Sequence, residues 1–184
     1  MGVVTRGGDG GFTGLPGTGK TGRVRKDDPL IECLGALDEL DAFCALAEIE
    51  LKSSGDPRNR NIIAEVREEL FNVVMPAAAR LFSAPLSKER GAPNCARLEQ
   101  QIAELEQENS PQGFMRTWTK PAAAALNAAR AICRRAERRM TAASFTYVKP
   151  AESAPGLEDA AALLPWLNRL SDLLFLLAVS EERR

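Results

Sequence analysis

Trp166-Leu167-Asn168-Arg169-Leu170-Ser171-Asp172-Leu173-Leu174-Phe175-Leu176-Leu177-Ala178 is the stretch whose reading decides the fold. It lies in a helical pattern running from about Leu157 to Glu182, and it is strongly apolar. Asn168 and Asp172 stand four residues apart inside it. A polar pair in such surroundings is costly unless it has partners. The pair therefore reads either as a satisfied helix–helix contact or as part of a ligand site.

Working outward, the rest of the chain is also helical. Residues 30–51 place Ile31, Leu34, Leu37, Leu40, Ala45 and Leu46 at mostly helical spacing, and Gly55-Asp56-Pro57 ends the run. A second helix is predicted from about Asn59 to Phe82, with Pro76 as a kink. A third runs from about Asn94 to Asn109, carrying Leu98, Ile102 and Leu105 on one face. The fourth starts at Pro121, a first-turn proline, and reaches about Phe145. There is no internal repeat and no sustained alternating pattern. The expected fold class is all-α, a five-helix bundle.

The densest charge cluster is Asn127 to Arg139 on the fourth helix. At helical spacing Asn127, Arg130, Arg134 and Glu137 or Arg138 share one face. A solvated face is one reading. The use of Arg, with small alanines around it, also suits a phosphate or carboxylate partner. On the first helix Asp38, Glu39 and Asp41 interrupt the apolar pattern and could pair with arginines of the fourth.

The N-terminal segment is different. Nine of the 14 glycines fall within residues 1–22, too little side chain to build a core. Residues Gly14 to Thr21 match GxxxxGK followed by Thr, a P-loop string. A P-loop fold needs a buried strand before the string and a helix after it, and neither is readable here. A glycine-rich loop with Lys and Thr can still cradle phosphate through its backbone N–H groups.

Composition narrows the chemistry. The 184 residues contain no histidine, so Ser-His-Asp catalysis, imidazole metal sites and histidine pH switches are excluded. The net charge of −1 gives no indication of nucleic-acid binding, although 18 of the 24 basic residues are Arg. Cys33, Cys44, Cys95 and Cys133 show no CxxC spacing and read as reduced thiols, with Cys33 and Cys133 in the core. No uninterrupted apolar run approaches about 18 residues. The expectation is a soluble cytoplasmic protein, without membrane or nucleic-acid partners.

Taken together, these segments resemble the ATP:cob(I)alamin adenosyltransferases of the propanediol-utilisation type. Thr5 to Thr13 resembles the family's TRTGDxGxT, and Val24 to Pro29 its VSKDDP. Gly35 to Leu40 resembles GTVDELN, Ala129 to Arg138 resembles ARTVCRRAER, and Leu167 to Phe175 resembles YLNRLSDLLF. The matches keep their order along nearly the whole chain.

The resemblance implies a homotrimer with active sites between subunits. In the implied reaction ATP gives its 5′-deoxyadenosyl group to a Co(I) corrinoid and triphosphate leaves. It implies ATP, Mg²⁺ and cobalamin as cofactor and substrates, with no metal assigned to protein side chains. Residues 1–29 would form an ATP-binding segment and 30–184 the bundle. Thr5, Arg6, Gly8, Asp9, Gly11, Thr13 and Lys26 would hold the triphosphate. Arg134 would contact ATP, and Glu137 and Asn168 would place the nucleotide. Asp38 and Arg130 would form an ion pair near the site and, with Arg134, the catalytic group. Phe114 and Asp172 would face the corrinoid. A corrinoid reductase or an adenosylcobalamin-dependent enzyme would be a further partner.

Departures from the family concentrate beside the corrinoid. The usual glycine loop after Phe114 is replaced by Met115 to Pro121, a family histidine by Asn127, and the asparagine of DELN by Asp41. They leave a second reading, an ATP-binding helical trimer that has lost adenosylation and acts as a sensor or binding protein.

Overall fold

The computed structural model describes residues 4, 6–14, 22–80, 92–109, 113, 115, 117–147 and 157–184. Two short strands, β1 (Phe12–Gly14) and β2 (Arg23–Arg25), precede the helices α1 (Pro29–Ser54), α2 (Pro57–Glu69), α3 (Met75–Arg80), α4 (Cys95–Asn109), α5 (Pro121–Tyr147) and α6 (Leu157–Arg183). A π-helical turn, Leu70–Val74, joins α2 to α3, so the two form one rod and the bundle has five.

The Asp-Pro pairs that break the sequence pattern turn out to start helices. Asp28 accepts from the Leu30 N–H at 2.9 Å, and Asp56 from the Arg58 N–H at 2.8 Å. Each is followed by Pro29 or Pro57, whose missing N–H costs nothing in a first turn. Such a cap contributes about 1 kcal/mol. The kink expected at Pro76 takes the form of the π turn. Proline cannot donate to the carbonyl four residues back, and its ring crowds that carbonyl. Widening the helix ahead of it relieves this, with the Met75 N–H reaching back to the Leu70 carbonyl.

The buried stripes of the three long helices follow a three-four spacing. On α1 it runs Leu30, Cys33, Leu37, Leu40, Cys44, Ala47 and Leu51. On α5 it runs Leu126, Ala129, Cys133, Ala136, Met140 and Ala143, and on α6 Leu163, Leu167, Leu170, Leu174 and Leu177. This is the seam of knobs-into-holes packing. The stripe on α1 is offset from the one expected: Ile31, Leu34 and Ala45 are only half-buried, and Leu46 is exposed. Helix α1 has apolar residues on two sides, and period alone did not say which side meets the core.

Helix α5 lies between α1 and α6, α4 covers another side of α6, α2 covers α1, and α3 touches both α1 and α6. Ala162–Arg183 has a mean hydropathy of 1.5, long and apolar enough to cross a membrane by composition alone. Here it is the central core helix, with Trp166 and all of its leucines but the half-buried Leu164 in the core. At its far end Asn59 Nδ2 donates to the buried Glu181 carboxylate at 2.6 Å, and the Asp56 N–H does so at 3.0 Å. These bonds satisfy a charge that would be costly if left alone.

The thiols are sealed. Cys33, Cys44 and Cys133 lie at the α1–α5–α6 seam, at most 1% exposed, and Cys133 Sγ donates to the Leu167 carbonyl at 3.2 Å. Burial pushes Cys33 and Cys44 up to about 12 and Cys133 upward as well. Cys95 is raised by partial burial but remains partly accessible. A raised thiol stays protonated, and only the thiolate attacks. The native protein is therefore expected to expose one slowly reacting thiol to an aromatic disulfide reagent at about pH 8, and all four after denaturation. Rapid native reaction of more than one would contradict the packing.

Candidate functional site

Helix α5 carries five arginines, and their surroundings separate them. Arg135 forms an ion pair with Glu39 of α1, and Arg139 lies 3.4 Å from Glu32. Arg130 Nε donates to Asn127 Oδ1 at 2.9 Å, and Arg138 donates to the Arg134 carbonyl at 3.0 Å. Arg134 is exposed, and its guanidinium has no partner among the described residues. Of the α1 acids singled out in the sequence, Glu39 therefore pairs with an α5 arginine, Glu32 adds a second pair, and Asp41 turns instead to Arg67 of α2. The Asp38–Arg130 pair, however, is not formed within the chain. The antiparallel register sets Glu39 opposite Arg135 and Glu32 opposite Arg139. Arg130 lies more than a turn beyond Asp38 in that register, and Asp38 stays exposed.

One turn along from Arg134, Glu137 Oε1 accepts from Asn168 Nδ2 at 3.2 Å, joining α5 to α6. Asn168 Oδ1 accepts from Arg169 at 2.7 Å, and Arg169 Nε donates to Glu99 of α4 at 3.1 Å. Asn168 is thus fixed from both ends of its amide, so the satisfied interhelix contact that the sequence allowed is formed. It also lies at the edge of the arginine face. Asp172 is exposed, 4.0 Å from Arg169. Glu99 carried no local signal in the sequence, because only the α4–α6 contact brings it here.

The second group of residues lies in the N-terminal hairpin. Strands β1 and β2 pair antiparallel with Phe12 opposite Arg25 and Gly14 opposite Arg23. Ahead of them the backbone turns through Arg6, at φ 54°, and Gly11, at φ 78°. A left-handed backbone at a non-glycine residue is strained, and such strain collects at binding loops. The Gly11 N–H donates to the Gly8 carbonyl at 3.2 Å, and the Lys26 N–H to the Gly11 carbonyl at 2.9 Å. The Lys26 ammonium folds over the turn so closely that a Cβ at Gly8 would lie 2.9 Å from Nζ. Arg23 braces the hairpin by donating to the Gly7 carbonyl and, at 3.0 Å, to the Phe12 carbonyl.

The structure thus gathers Arg6, Gly8, Asp9, Gly11, Thr13 and Lys26 in one hairpin, and Arg134, Glu137 and Asn168 on one α5–α6 face. Neither Lys26 nor Arg23 bonds to α5 or α6. Thr5 and Phe114 lie outside the described residues, as does most of the P-loop-like string. The strand before that string is a mostly exposed member of a two-stranded antiparallel sheet, not the buried strand a P-loop fold requires. Asp41, where the family pattern has asparagine, accepts from Arg67 Nε of α2 at 3.0 Å. Among the described residues no group of three or more Cys, Asp or Glu side chains could hold a metal ion.

The sequence matches the cobalamin adenosyltransferase family over residues 3–181. It is 32% identical over 193 residues to the corrinoid adenosyltransferase PduO of Citrobacter freundii, covering 99% of this chain and 50% of that protein. It is 33% identical to the corrinoid adenosyltransferase of Bacillus subtilis, covering 95% of this chain and 83% of that one. The chain spans about half the length of the PduO relatives it matches. Among solved structures it is similar to variants of the PduO-type ATP:corrinoid adenosyltransferase of Lactobacillus reuteri. One, complexed with cobalamin and ATP, superposes with a TM-score of 0.73 at 26% identity, covering 96% of this chain and 89% of that one. Another, complexed with ATP, gives 0.68 at 25% identity, covering 96% and 92%.

Arg23 is the brace of the hairpin, and among the described residues its side chain bonds only to the Gly7 and Phe12 carbonyls. Arg23→Ala is therefore expected to speed amide exchange at Gly11 and Lys26 while leaving the thermal midpoint of the helices unchanged. Unaltered exchange at both amides would show that the hairpin does not depend on that side chain.

Proposed function

Because the chain belongs to the cobalamin adenosyltransferase family, we propose that it transfers the 5′-deoxyadenosyl group of ATP to the Co(I) centre of a reduced corrinoid. The observation that carries this reading is the isolation of Arg134. Of five arginines on α5 it alone has a guanidinium with no partner among the described residues, and it stands beside a fixed Glu137–Asn168 pair. An unpaired guanidinium next to an ordered amide suits a polyphosphate ester.

The chemistry asks little of the protein in acid–base terms. The cobalt attacks C5′, a Co–C bond forms, and the C5′–O bond breaks. The electron pair leaves with triphosphate. The tasks left to the chain are alignment and stabilisation of leaving charge. Lys26 and the turn through Gly8 and Gly11, with Thr5, Arg6, Asp9 and Thr13, would hold the phosphates. Arg134 would neutralise charge developing on the leaving oxygen. Asn168, held by Glu137 and Arg169, would position the nucleoside. Mg²⁺ would travel with the triphosphate, in keeping with the lack of a protein metal cage among the described residues. Phe114 and Asp172 would face the corrinoid.

The hairpin and the α5–α6 face make no side-chain bond through Lys26 or Arg23. This supports active sites assembled between the subunits of a homotrimer. Exposed Asp38 and the free end of Arg130 would then pair across that interface, since the register within one chain keeps them apart.

The rival reading, an ATP-binding trimer without adenosylation, rests on the altered segment 115–121 and on Asn127. A spectral assay with cob(I)alamin and MgATP separates the two. Formation of the adenosylcobalamin spectrum is expected, with Arg134→Ala lowering turnover by about 10²-fold or more and the far-UV circular dichroism unchanged. A folded protein that binds ATP but adenosylates no reduced corrinoid would sink the proposal.

A further inference from the structure

The last turn of α6 reaches out to both ends of the connection between α4 and α5. At one end Arg183 donates to the carbonyl of Asn109, the final residue of α4. At the other the Glu182 carboxylate accepts three donors. The Thr119 N–H donates at 3.0 Å to each oxygen, the Lys120 N–H donates to Oε2 at 3.1 Å, and the Thr119 hydroxyl donates to Oε1. Pro121 follows at once and opens α5.

A second contact lies two turns back. The Trp118 ring meets the Phe175 ring edge to face, with centroids 6.4 Å apart and planes at 89°. Phe175 and Glu182 are seven residues apart on α6, so they share a face. Residues 118–120 are therefore held along α6 at two heights, about 10 Å apart. One attachment is apolar and one is charged.

This arrangement exceeds what α5 needs in order to start. A helix N-terminus requires a partner for its first N–H groups. The Glu182 bonds instead go to Thr119 and Lys120, ahead of the helix, and Arg183 grips the opposite end of the same connection. Two consecutive residues of one turn thus hold the start and the finish of a segment more than ten residues long. That segment is also where the sequence departs most from the family pattern. A glycine loop is replaced here by Met115 to Lys120, including the tryptophan and threonine that make the contacts.

We infer that Glu182 and Arg183 are positioning residues for the corrinoid side of the site, acting through the α4–α5 connection. The inference rests on the proposed adenosyltransferase reading, in which this connection lies beside the corrinoid. It deepens that reading by naming what holds the end of the replaced stretch: Trp118, Thr119 and Lys120, each bonded or packed to α6. The depressed pKa of Glu182, caused first by the Thr119 hydroxyl and then by the backbone N–H groups, accords with a carboxylate that stays charged in this role. The residues assigned to ATP lie in the hairpin and more than three turns away along α5 and α6, and make no bond to the clamp among the described residues.

The test uses the full chain with Glu182→Ala, Thr119→Val and Thr119→Ser. Glu182→Ala is expected to raise KM for cob(I)alamin about tenfold or more, while KM for ATP changes by less than about twofold. It is also expected to lose exchange protection at the Thr119 and Lys120 amides. Thr119→Val should shift the corrinoid KM in the same direction, and Thr119→Ser should restore it. A merely structural role would raise both KM values or neither, and either result would overturn the inference. So would loosened amides with an unchanged corrinoid KM. If Glu182→Ala does not fold, the Thr119 pair decides by the same criteria. If the wild type adenosylates nothing, the proposed function fails separately, and binding of cob(II)alamin with MgATP decides the inference. Binding weakened by Glu182→Ala supports it. Equal binding by both proteins, or none by the wild type, overturns it.

Discussion

Helix α6 has to be covered on nearly every side. From Leu163 to Val179 its leucines other than the half-buried Leu164, together with Trp166 and Ala178, are all 3% exposed or less. Fully burying one leucine stabilises the fold by roughly 1.5–3 kcal/mol. An unpartnered polar group at the same depth costs about 1–3 kcal/mol. The helix can therefore bury a polar residue only with a partner, as it does Ser171 and Glu181. Its bonding polar groups gather at two levels. Asn168 and Arg169 emerge on the α5–α4 side, and Glu182 and Arg183 stand with the buried Glu181 at the end. Both levels are fully employed, the first in bonds to Glu137 and Glu99, the second in bonds to Asn59, Thr119 and Asn109.

The position of α5 follows from the same demand. To lie against both α1 and α6 it needs small residues on its inner face, and Ala129, Ala136 and Ala143 supply them. Its arginines are then forced outward along two edges. The edge toward α1 finds Glu39 and Glu32 and is neutralised. The other edge finds Asn168 and Glu137, which are already satisfied by one another and by Arg169. Close packing thus separates the arginines that hold helices together from Arg134, whose guanidinium has no partner among the described residues. Exposed ion pairs such as these contribute only about 0–1 kcal/mol each, so their value to the fold lies more in register than in stability.

Much of this was legible in the sequence. The long apolar run, the Asp-Pro breaks and the arginine cluster each follow from spacing within a few residues. The hairpin was not, because β1 and β2 are three residues each and mostly exposed, below any periodic signal. The inner face of α1 was read rightly at Leu37 and Leu40 but missed at Ile31, Leu34, Ala45 and Leu46, since Leu46 and Ile49 make its outer face apolar too. The partners of Arg130 and Asp38 depended on the register between two helices, which no local pattern encodes. Glu99 and Glu182 lay further from reach: their roles exist only once α4 and α6, or α6 and residue 119, are brought side by side.

The lack of histidine has a physical consequence at the site. Where the family pattern has a histidine, Asn127 accepts from Arg130 Nε, and its amide carries no charge at any ordinary pH. A histidine there would titrate near about 6.5 unless its surroundings moved it. The four thiols, which could otherwise ionise next above that range, are all raised by burial. The side chains that usually change charge near neutrality are therefore missing or silenced. The described face is built instead of guanidinium, carboxylate and amide groups. A face of this kind holds, among the described residues, no side chain that ordinarily changes charge near neutrality. That would suit the proposed reaction, in which the nucleophile comes with the substrate and no proton need be moved by the protein.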